Sequence, residues 1–268
     1  MTLDFILLIP VHNNTEGLIN SIKSVNYPSE KHEILIIDDG SSNPILIEDL
    51  IRVFPDKTIE IVTITKNAGI LNALNTGLKH IHDKKNCKYI ARLDCGDICH
   101  ADRFYKQVEF LDLHKDISLL GTWCIFIDYK TGKYYLYKTK TNHEDIKREM
   151  HFKCSFIHPT VMFRSEIIDI TGYYPEKFAH AEDYAYFCLI LKATKGAILP
   201  ETLVDIEVSN NSISSKNYKV QLKSRMKIVR FFGEDKLLAL GGITLLFARY
   251  ILPLNIIRLI KSGNNNNQ

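Results

Sequence analysis

The sequence predicts an α/β fold, in which a doubly wound, mostly parallel sheet is followed by an α+β half and a helical tail. In the first third of the chain, apolar runs of strand length alternate with amphipathic stretches of helix length. Each repeating unit is about thirty residues long, the size of a βαβ crossover. Beyond Asp97 this alternation stops and hairpin signals appear. Because βαβ units are right-handed, helices should cover both faces of the first half of the sheet.

The first half contains four apolar runs that are almost uninterrupted, as in strands buried on both faces. We therefore predict parallel strands at Phe5–Pro10, Glu33–Asp38, Ile59–Thr65 and Lys88–Leu93. The stretches between them have helical spacing. They predict helices at Thr15–Val25, Ile45–Phe54 and Gly69–His82.

The second half has a mixed pattern. Gly132 marks a turn between a strand and its partner strand. Two strands are predicted at Leu119–Asp128 and Phe156–Arg164, and three helices at Ala101–His114, Asn142–His151 and Ala181–Gly196. Gly196 is expected to close the last helix, since glycine favours helix ends.

The charge of the chain is concentrated in its tail. Between Lys216 and Lys261 ten Lys or Arg stand against two acidic residues, a net +8, which leaves −5 on the rest because the whole chain is +3. A nucleic-acid-binding protein would carry basic residues across its folded body, so we expect no nucleic acid partner. The longest uncharged run of the tail, Leu237–Ala248, is shorter than the ~20 residues that span a bilayer. The tail therefore indicates either peripheral contact with an anionic membrane or a pair of helices packed on the domain.

Six cysteines are scattered without paired spacing, which is typical of reduced thiols in a cytoplasmic protein. We expect no signal peptide, since the apolar start runs directly into the polar "VHNN". Cys95, Cys99 and His100 lie close together, but no second pair of ligands follows at the spacing of a zinc site.

Polar residues follow each of the four predicted parallel strands, where ligands bind in such sheets. They are "PVHNN" from Pro10, "DDGSS" from Asp38, "KNAG" from Lys66 and "DCGD" from Asp94. Two carboxylates in "DDGSS" can accept hydrogen bonds from a base or a ribose. Asp94 and Asp97 offer oxygen ligands of the kind that Mg²⁺ or Mn²⁺ uses together with phosphate oxygens. Since the chain has no P-loop or GxGxxG motif, these patterns predict that a metal holds a nucleoside diphosphate.

These motifs, in this order, resemble the inverting glycosyltransferases of family 2, which have the GT-A fold. The resemblance extends from about Phe5 to Ser214 and includes "ILIIDDGSS", "NAGILNALNTGL", "ARLDCGD", "HPTVMFR" and "AEDYAYFCLIL". It implies a domain at 1–215, with a nucleotide-sugar-binding half at 1–98 and an acceptor-side half at 99–215. A basic apolar tail at 216–262 and a disordered end at 263–268 follow.

The resemblance also implies roles for individual residues. Asp183 would be the catalytic base, and Asp94 and Asp97 would hold the metal diphosphate, Asp94 also binding the donor. Glu182, His158 and Trp123 are weaker candidates on the acceptor side, with His158 either an acceptor-loop residue or a loop hydrogen-bond donor and Trp123 either core or a sugar platform. The other residues implied in donor binding are Pro10, His12, Asp38, Asp39, Asn67 and Gly69.

Some positions depart from the family pattern. His12 replaces a usual aromatic residue, and Gly96 stands where the middle carboxylate of Asp-x-Asp-Asp would be, a position at which we expect aspartate to be tolerated. The expected activity is metal-dependent transfer of a hexose from a UDP-sugar to a polyprenyl-diphosphate-linked saccharide of a bacterial surface polysaccharide such as O-antigen, at the inner face of the membrane. Two alternatives stay open: a catalytically silent nucleotide-sugar-binding protein and a sugar nucleotidyltransferase.

Overall fold

The computed structural model describes residues 2–178, 180–208 and 217–252. Within them the strands form one nine-stranded sheet in the order β3-β2-β1-β4-β8-β6-β9-β5, with β7 paired to β6. The strands are β1 (Leu3–Val11), β2 (His32–Asp39), β3 (Ile59–Ile64), β4 (Cys87–Arg92), β5 (Ile98–Cys99), β6 (Ile117–Asp128), β7 (Lys133–Tyr137), β8 (Met162–Arg164) and β9 (Lys195–Glu207). The helices are α1 (Thr15–Ser24), α2 (Ile47–Val53), α3 (Ile70–Lys84), α4 (Arg103–Leu113), α5 (His143–Glu149), α6 (Ile167–Thr171), α7 (Glu182–Ala193), α8 (Tyr218–Phe232) and α9 (Lys236–Ile251).

The sheet is mixed, with a parallel half formed by β1 to β4, which confirms the predicted α/β class. Strands β1 to β4 pair in parallel, and so do β6 and β9. Strand β8 lies antiparallel between β4 and β6. The carboxyl ends of β1 to β4 consequently meet at one edge, where the polar motifs lie.

Both faces of the sheet are covered. In β1 alternate side chains enter different clusters: Ile6 and Leu8 pack with α3, α7 and α8, whereas Phe5 and Leu7 pack with α1 and α4. This arrangement explains the uninterrupted apolar run in β1, since neither face of the strand meets water.

Three predicted details were wrong. Strand β3 is only half-buried, because it forms the edge of the sheet. The segment predicted as a strand at Phe156–Arg164 begins instead with a 3₁₀ turn at His158–Thr160, and only Met162–Arg164 pairs as a strand. Helix α7 ends at Ala193, and Gly196 lies in β9, where a Cβ would come within 2.7 Å of the Leu191 side chain. Close packing, not helix capping, therefore accounts for Gly196.

The described part of the tail packs on the domain. Leu222, Ile228 and Val229 of α8 are buried in the same core cluster as α7. Helix α9 approaches closely at Gly242, where a Cβ would lie 1.8 Å from the carbonyl oxygen of His151. Among residues 2–178, 180–208 and 217–252, the helices lack the combination of length and hydrophobicity that a membrane span requires. The proposed boundary at residue 215 stays a prediction, and the expected disordered end lies outside the described residues.

Candidate active site

The loops after β1 and β2 are bound to each other. The backbone N–H of Asn13 donates to Ser41 Oγ at 2.9 Å, and Asn13 Oδ1 accepts from the N–H of Ser42 at 2.8 Å. Asn13 has a φ of 53°, a left-handed conformation that asparagine tolerates better than most residues. The two loops therefore form one rigid wall at the carboxyl edge of the sheet.

His12 lies on this wall in one defined tautomer. Its Nδ1 lies 2.9 Å from the carbonyl oxygen of Asp39, which can only accept, so Nδ1 carries the proton. Its Nε2 then accepts from the side-chain amide of Asn13 at 2.9 Å. The ring is exposed, so it can meet a ligand. The preceding Pro10 is buried in β1.

The adjacent carboxylates Asp38 and Asp39 bind different loops, because neighbouring side chains of a strand point to opposite faces. Asp38 accepts from the backbone N–H groups of Ser41 and Ile45 at 3.0 and 3.2 Å. Asp39 accepts from those of Ala68 and Gly69 at 2.8 and 2.9 Å. Both carboxylates thus fix the loops within the protein, and their contact with a nucleotide stays a prediction.

The loop after β3 lies against the turn at Gly40. A Cβ at Gly40 would be 2.4 Å from the backbone nitrogen of Asn67, and the φ of Gly40 is +65°. Only glycine fits this approach without strain. Asn67 itself is exposed and Gly69 precedes α3, so both border the same open edge.

A tight turn presents Asp94 and Asp97. The backbone N–H of Asp97 donates to the carbonyl of Asp94 at 3.1 Å. Ser21 of α1 fastens the turn: its Oγ donates to the carbonyl of Asp97 and accepts from the N–H of Gly96, both at 2.9 Å. Gly96 has a φ of +106°, which L-residues rarely adopt, so aspartate would be strained there and the expected tolerance was wrong.

Asp97 is buried and incompletely satisfied. Its Oδ1 accepts from the backbone N–H of Glu207 at 3.1 Å, while its buried Oδ2 has no hydrogen-bond partner. Burial, with the negative charges of Asp94 and Glu207, raises the pKa of Asp97 well above its usual value. A carboxylate in this condition would be stabilised by a nearby cation. Glu207, at the end of β9, was not identified from the sequence.

Asp94 is paired with Arg92, a residue of the strand that the apolar pattern predicts at Lys88–Leu93. Arg92 is fully buried, and its Nη2 lies 2.6 Å from Asp94 Oδ1. Its Nη1 donates to the carbonyl oxygens of Leu8 and Leu93. A charged residue inside an otherwise apolar run was the available signal, because buried charges need partners.

His158 belongs to the hydrogen-bond network that holds Arg92, the partner of Asp94. Its Nε2 accepts from Arg92 Nε at 3.3 Å and from the hydroxyl of Tyr174 at 2.8 Å. Burial and the Arg92 charge hold the pKa of His158 well below its usual value, so the ring is neutral. The structure therefore places His158 as a support for Arg92.

Glu182 and Asp183, at the start of α7, share the electrostatic surroundings of Asp94. Burial raises the pKa of Glu182 to about 7, with the charges of Asp183 and Asp94 adding to the effect. Burial also raises the pKa of Asp183, which Asp94 raises further and the Tyr184 N–H and Arg225 lower. The Tyr184 N–H donates to Asp183 Oδ1 at 2.7 Å. The charge of Asp94 therefore acts on both carboxyl groups, although they follow it by about ninety positions in the chain.

Trp123 makes its contacts elsewhere. Its indole N–H donates to the carbonyl of Thr139 at 3.1 Å, and Lys138 Nζ lies 5.2 Å from the ring centre. The ring is partly buried against the core. Among the described residues, no group of three His, Cys, Asp or Glu side chains could hold a metal by itself.

The model of glycosyl transferase family 2 matches residues 6–170, which cover every strand-end motif described above. The chain belongs to this family. It is 27% identical over 230 residues to the amylovoran biosynthesis glycosyltransferase AmsE of Erwinia amylovora, covering 84% of each chain. It is 28% identical over 201 residues to an Escherichia coli UDP-Gal:alpha-D-GlcNAc-diphosphoundecaprenol beta-1,3-galactosyltransferase, covering 74% of this chain and 70% of the relative.

The chain is also 29% identical over 252 residues to the bifunctional glycosyltransferase pgtA of Dictyostelium discoideum. This match covers 79% of the present chain but only 32% of the relative. The fold of this chain resembles that of S. aureus TarS 1-349 in complex with UDP, with a TM-score of 0.69 and 14% identity. The superposition covers 92% of this chain and 72% of TarS 1-349. The fold also resembles that of the mannosyltransferase PcManGT from Pyrobaculum calidifontis in complex with GDP-Man and Mn²⁺, with a TM-score of 0.66 and 13% identity. Here the superposition covers 99% of this chain and 80% of PcManGT. These likenesses establish a GT-A type fold.

Proposed function

We propose that this glycosyltransferase transfers one sugar, with inversion, from a UDP-sugar to a lipid-linked saccharide in bacterial surface polysaccharide synthesis. The observation that carries the proposal is that Asp94, which shares the turn after β4 with Asp97, has a negative charge that raises the pKa of both Glu182 and Asp183 at the start of α7. One pair is suited to a metal diphosphate and the other to an acceptor hydroxyl. UDP in the TarS complex and UDP-Gal in the name of the E. coli relative support a uridine donor.

The proposed donor site is the edge formed by the first three loops. Their hydrogen bonds to Asp38 and Asp39 hold the backbone before any ligand binds, which lowers the entropy cost of binding. His12, Asn67 and Gly69 border the open side of this edge and are proposed to contact the nucleoside.

The residues of the turn after β4 fit a divalent cation. Asp97 has a buried oxygen without a partner, and Asp94 has one oxygen beyond the one paired with Arg92. Mg²⁺ and Mn²⁺ commonly take one or two carboxylates and complete their coordination with substrate phosphates. A bound metal would stabilise negative charge on the departing diphosphate. The Mn²⁺ complex of PcManGT supports this choice of cofactor.

Asp183 is proposed to take the proton of the acceptor hydroxyl. As the acceptor oxygen forms its bond to the anomeric carbon, the bond from that carbon to the diphosphate breaks on the opposite face. The proton moves to the carboxylate, the bonding electrons leave with the diphosphate, and the anomeric configuration inverts. Glu182 is the competing base, since a pKa of about 7 suits proton transfer near neutrality.

A peripheral membrane contact is proposed from the outer side of α9. Leu237, Leu240, Phe247 and Ile251 lie on one side of this helix and are all exposed. We call this set the apolar face of α9. Lysines of α8 lie close by, since Lys219 and Lys223 both reach over the Tyr250 ring of α9. Apolar and basic residues together favour an anionic lipid surface, where a lipid-linked acceptor would be found.

The test is a screen of nucleotide sugars by thermal stabilisation and by donor hydrolysis, with Mg²⁺ or Mn²⁺ and with chelator. We expect a UDP-sugar to stabilise the protein and to be hydrolysed only with metal. Stabilisation without hydrolysis, and without transfer to any lipid-linked saccharide, would favour a silent binding protein. Equal binding in chelator would refute the metal site.

A further inference from the structure

Arg92 is a fully buried cation whose acidic partner is open to solvent. The side chain of Arg92 has no exposed surface, whereas that of Asp94 is 43% exposed. A carboxylate that water can reach gains little stability from a salt bridge. The guanidinium, by contrast, loses its hydration in the core, where an apolar side chain of similar size is often no less stabilising. The pair therefore calls for an explanation other than stability.

Three segments of the chain hold the Arg92 guanidinium in one orientation. Its Nη1 donates to the carbonyl oxygens of Leu8 in β1 and of Leu93 after β4. Its Nε donates to His158 Nε2 at 3.3 Å, and its Nη2 donates to Asp94 Oδ1 at 2.6 Å. Because the guanidinium is planar and its donors form a rigid fork, these contacts fix its plane. The Oδ1 atom of Asp94 is fixed with it, and Oδ2 is left for a ligand.

His158 is held in turn by residues that lead to α3. The hydroxyl of Tyr174 donates to His158 Nε2 at 2.8 Å. The main chain of Tyr174 is bound by the side chain of Asn75 in α3, whose Oδ1 accepts from the Tyr174 N–H at 2.9 Å and whose Nδ2 donates to the Tyr174 carbonyl at 3.0 Å. Helix α3 begins after Gly69, whose N–H donates to Asp39. Hydrogen bonds and one helix thus connect the proposed donor edge with the turn after β4.

We propose that Arg92 is a positioning residue of the transfer reaction, which holds Asp94 in the orientation that binds the donor diphosphate and its metal. This inference rests on the proposed role of Asp94 in the donor site. His158 and Tyr174 contribute by fixing the plane of the guanidinium. Loss of a group that orients a metal-ligating side chain typically lowers metal affinity or activity by about 10- to 100-fold.

Orientation and charge can be separated at this position. Lysine keeps the positive charge of Arg92, but its ammonium is a point charge without the planar fork. It cannot donate to Asp94, Leu8 and His158 in one fixed plane. If Arg92 acts through orientation, lysine should therefore fail to replace it, whereas a purely electrostatic role would survive the change.

The test is a double-mutant cycle of Arg92→Lys and Asp94→Asn in the full chain. The affinity for UDP is measured by calorimetry in Mn²⁺ and in chelator, together with melting temperatures. We expect Arg92→Lys to lower the UDP affinity in Mn²⁺ about tenfold. In the Asp94→Asn background the same change should cost less than about twofold, because Arg92 acts through that carboxylate.

The matched control is Arg164→Lys on β8. Arg164 is likewise held by backbone carbonyl oxygens, since it donates to those of Leu111 and Ile117. It pairs with Tyr89, near the amino-terminal end of β4 and away from the turn that carries Asp94. Arg164→Lys should therefore lower the melting temperature without changing the UDP affinity.

Two results would overturn the positioning role of Arg92. An equal loss of UDP affinity in both backgrounds would show that Arg92 acts independently of Asp94. Parental affinity in Arg92→Lys would show that the charge alone suffices. A failure of the proposed metal looks different: the parental UDP affinity would be the same in chelator, and the cycle would then be read from that affinity.

A second variant decides if Arg92→Lys does not fold. Tyr174→Phe removes only the hydroxyl that donates to His158. It should lower the UDP affinity in Mn²⁺ about threefold, the effect of one ordinary hydrogen bond. In the Asp94→Asn background it should have no effect. An unchanged affinity in Tyr174→Phe, or the same loss in both backgrounds, would overturn the proposal.

Discussion

Removing two side chains from the apolar face of α9 should weaken binding to anionic vesicles. Leu240 is 64% exposed and Phe247 52% exposed, so most of their burial is still available to a lipid surface. Complete burial of either side chain contributes about 1.5–3 kcal/mol, and these exposed fractions give about 2–3.5 kcal/mol for the pair. Replacing both by serine should therefore lower vesicle affinity by roughly 20- to 300-fold.

The assay is co-sedimentation of the full chain with phosphatidylglycerol and phosphatidylcholine vesicles. The matched control is Leu46→Ser with Val53→Ser, which removes similarly exposed apolar groups, 55% and 52%, from the region of α2. The control should bind like the parent, and all forms should prefer the anionic vesicles. Parental binding by Leu240→Ser with Phe247→Ser, at an unchanged melting temperature, would refute a lipid-binding role for this face.

Three further predictions concern the carboxylates. Asp183→Asn should slow transfer at least ~100-fold while donor affinity changes by no more than a few-fold, because a general base acts mainly in the transition state. Steady-state kinetics with UDP titration checks this, and near-parental transfer would move the base to Glu182. Asp97→Asn should abolish the increase in UDP affinity that Mn²⁺ causes, as measured by calorimetry with and without chelator. If Mn²⁺ raises the UDP affinity of the variant as much as that of the parent, Asp97 is not a metal ligand. Because folding raises the pKa of Glu182 from 4.5 to about 7, the unfolded state releases this proton first, and stability falls as pH rises through that interval. Glu182→Gln should remove this loss of stability and raise the free energy of unfolding at pH 8 by at most about 3 kcal/mol. Denaturant unfolding at pH 5 and pH 8 in chelator measures the effect. A pH dependence of stability identical to that of the parent would contradict the raised pKa of Glu182.

The sequence was most informative where structure depends on local pattern. The four parallel strands and the helices between them follow from apolar periodicity, and their order places the polar motifs at one edge. Strand β9 was not predicted, because its pairing with β6 joins Ile117 to Lys195 and no local period reports such a contact. The missed site residue Glu207 shares this cause. Its backbone N–H donates to Asp97, which lies 110 positions earlier in the chain and is brought near only by the tertiary fold.

The early start of β8 was misjudged for a related reason. "FIHPTVMFR" has strand composition, but Pro159 has no N–H to donate and His158 is held by Arg92 and Tyr174. The local tendency toward strand was overridden by hydrogen bonds to distant residues. Similarly, β3 has an apolar sequence, yet its place at the edge leaves it half-exposed.

The contact at Gly242 has a consequence for the construction of chimaeras between related transferases. With a Cβ position only 1.8 Å from the carbonyl oxygen of His151, α9 lies directly on the backbone of the segment that follows α5. That backbone cannot give way as a flexible side chain would. A donor tail lacking glycine at this point would be held away from the domain, even if every apolar residue were matched. The tail and the segment around His151 should therefore be exchanged together, as one inherited unit, rather than joined at the boundary near residue 215.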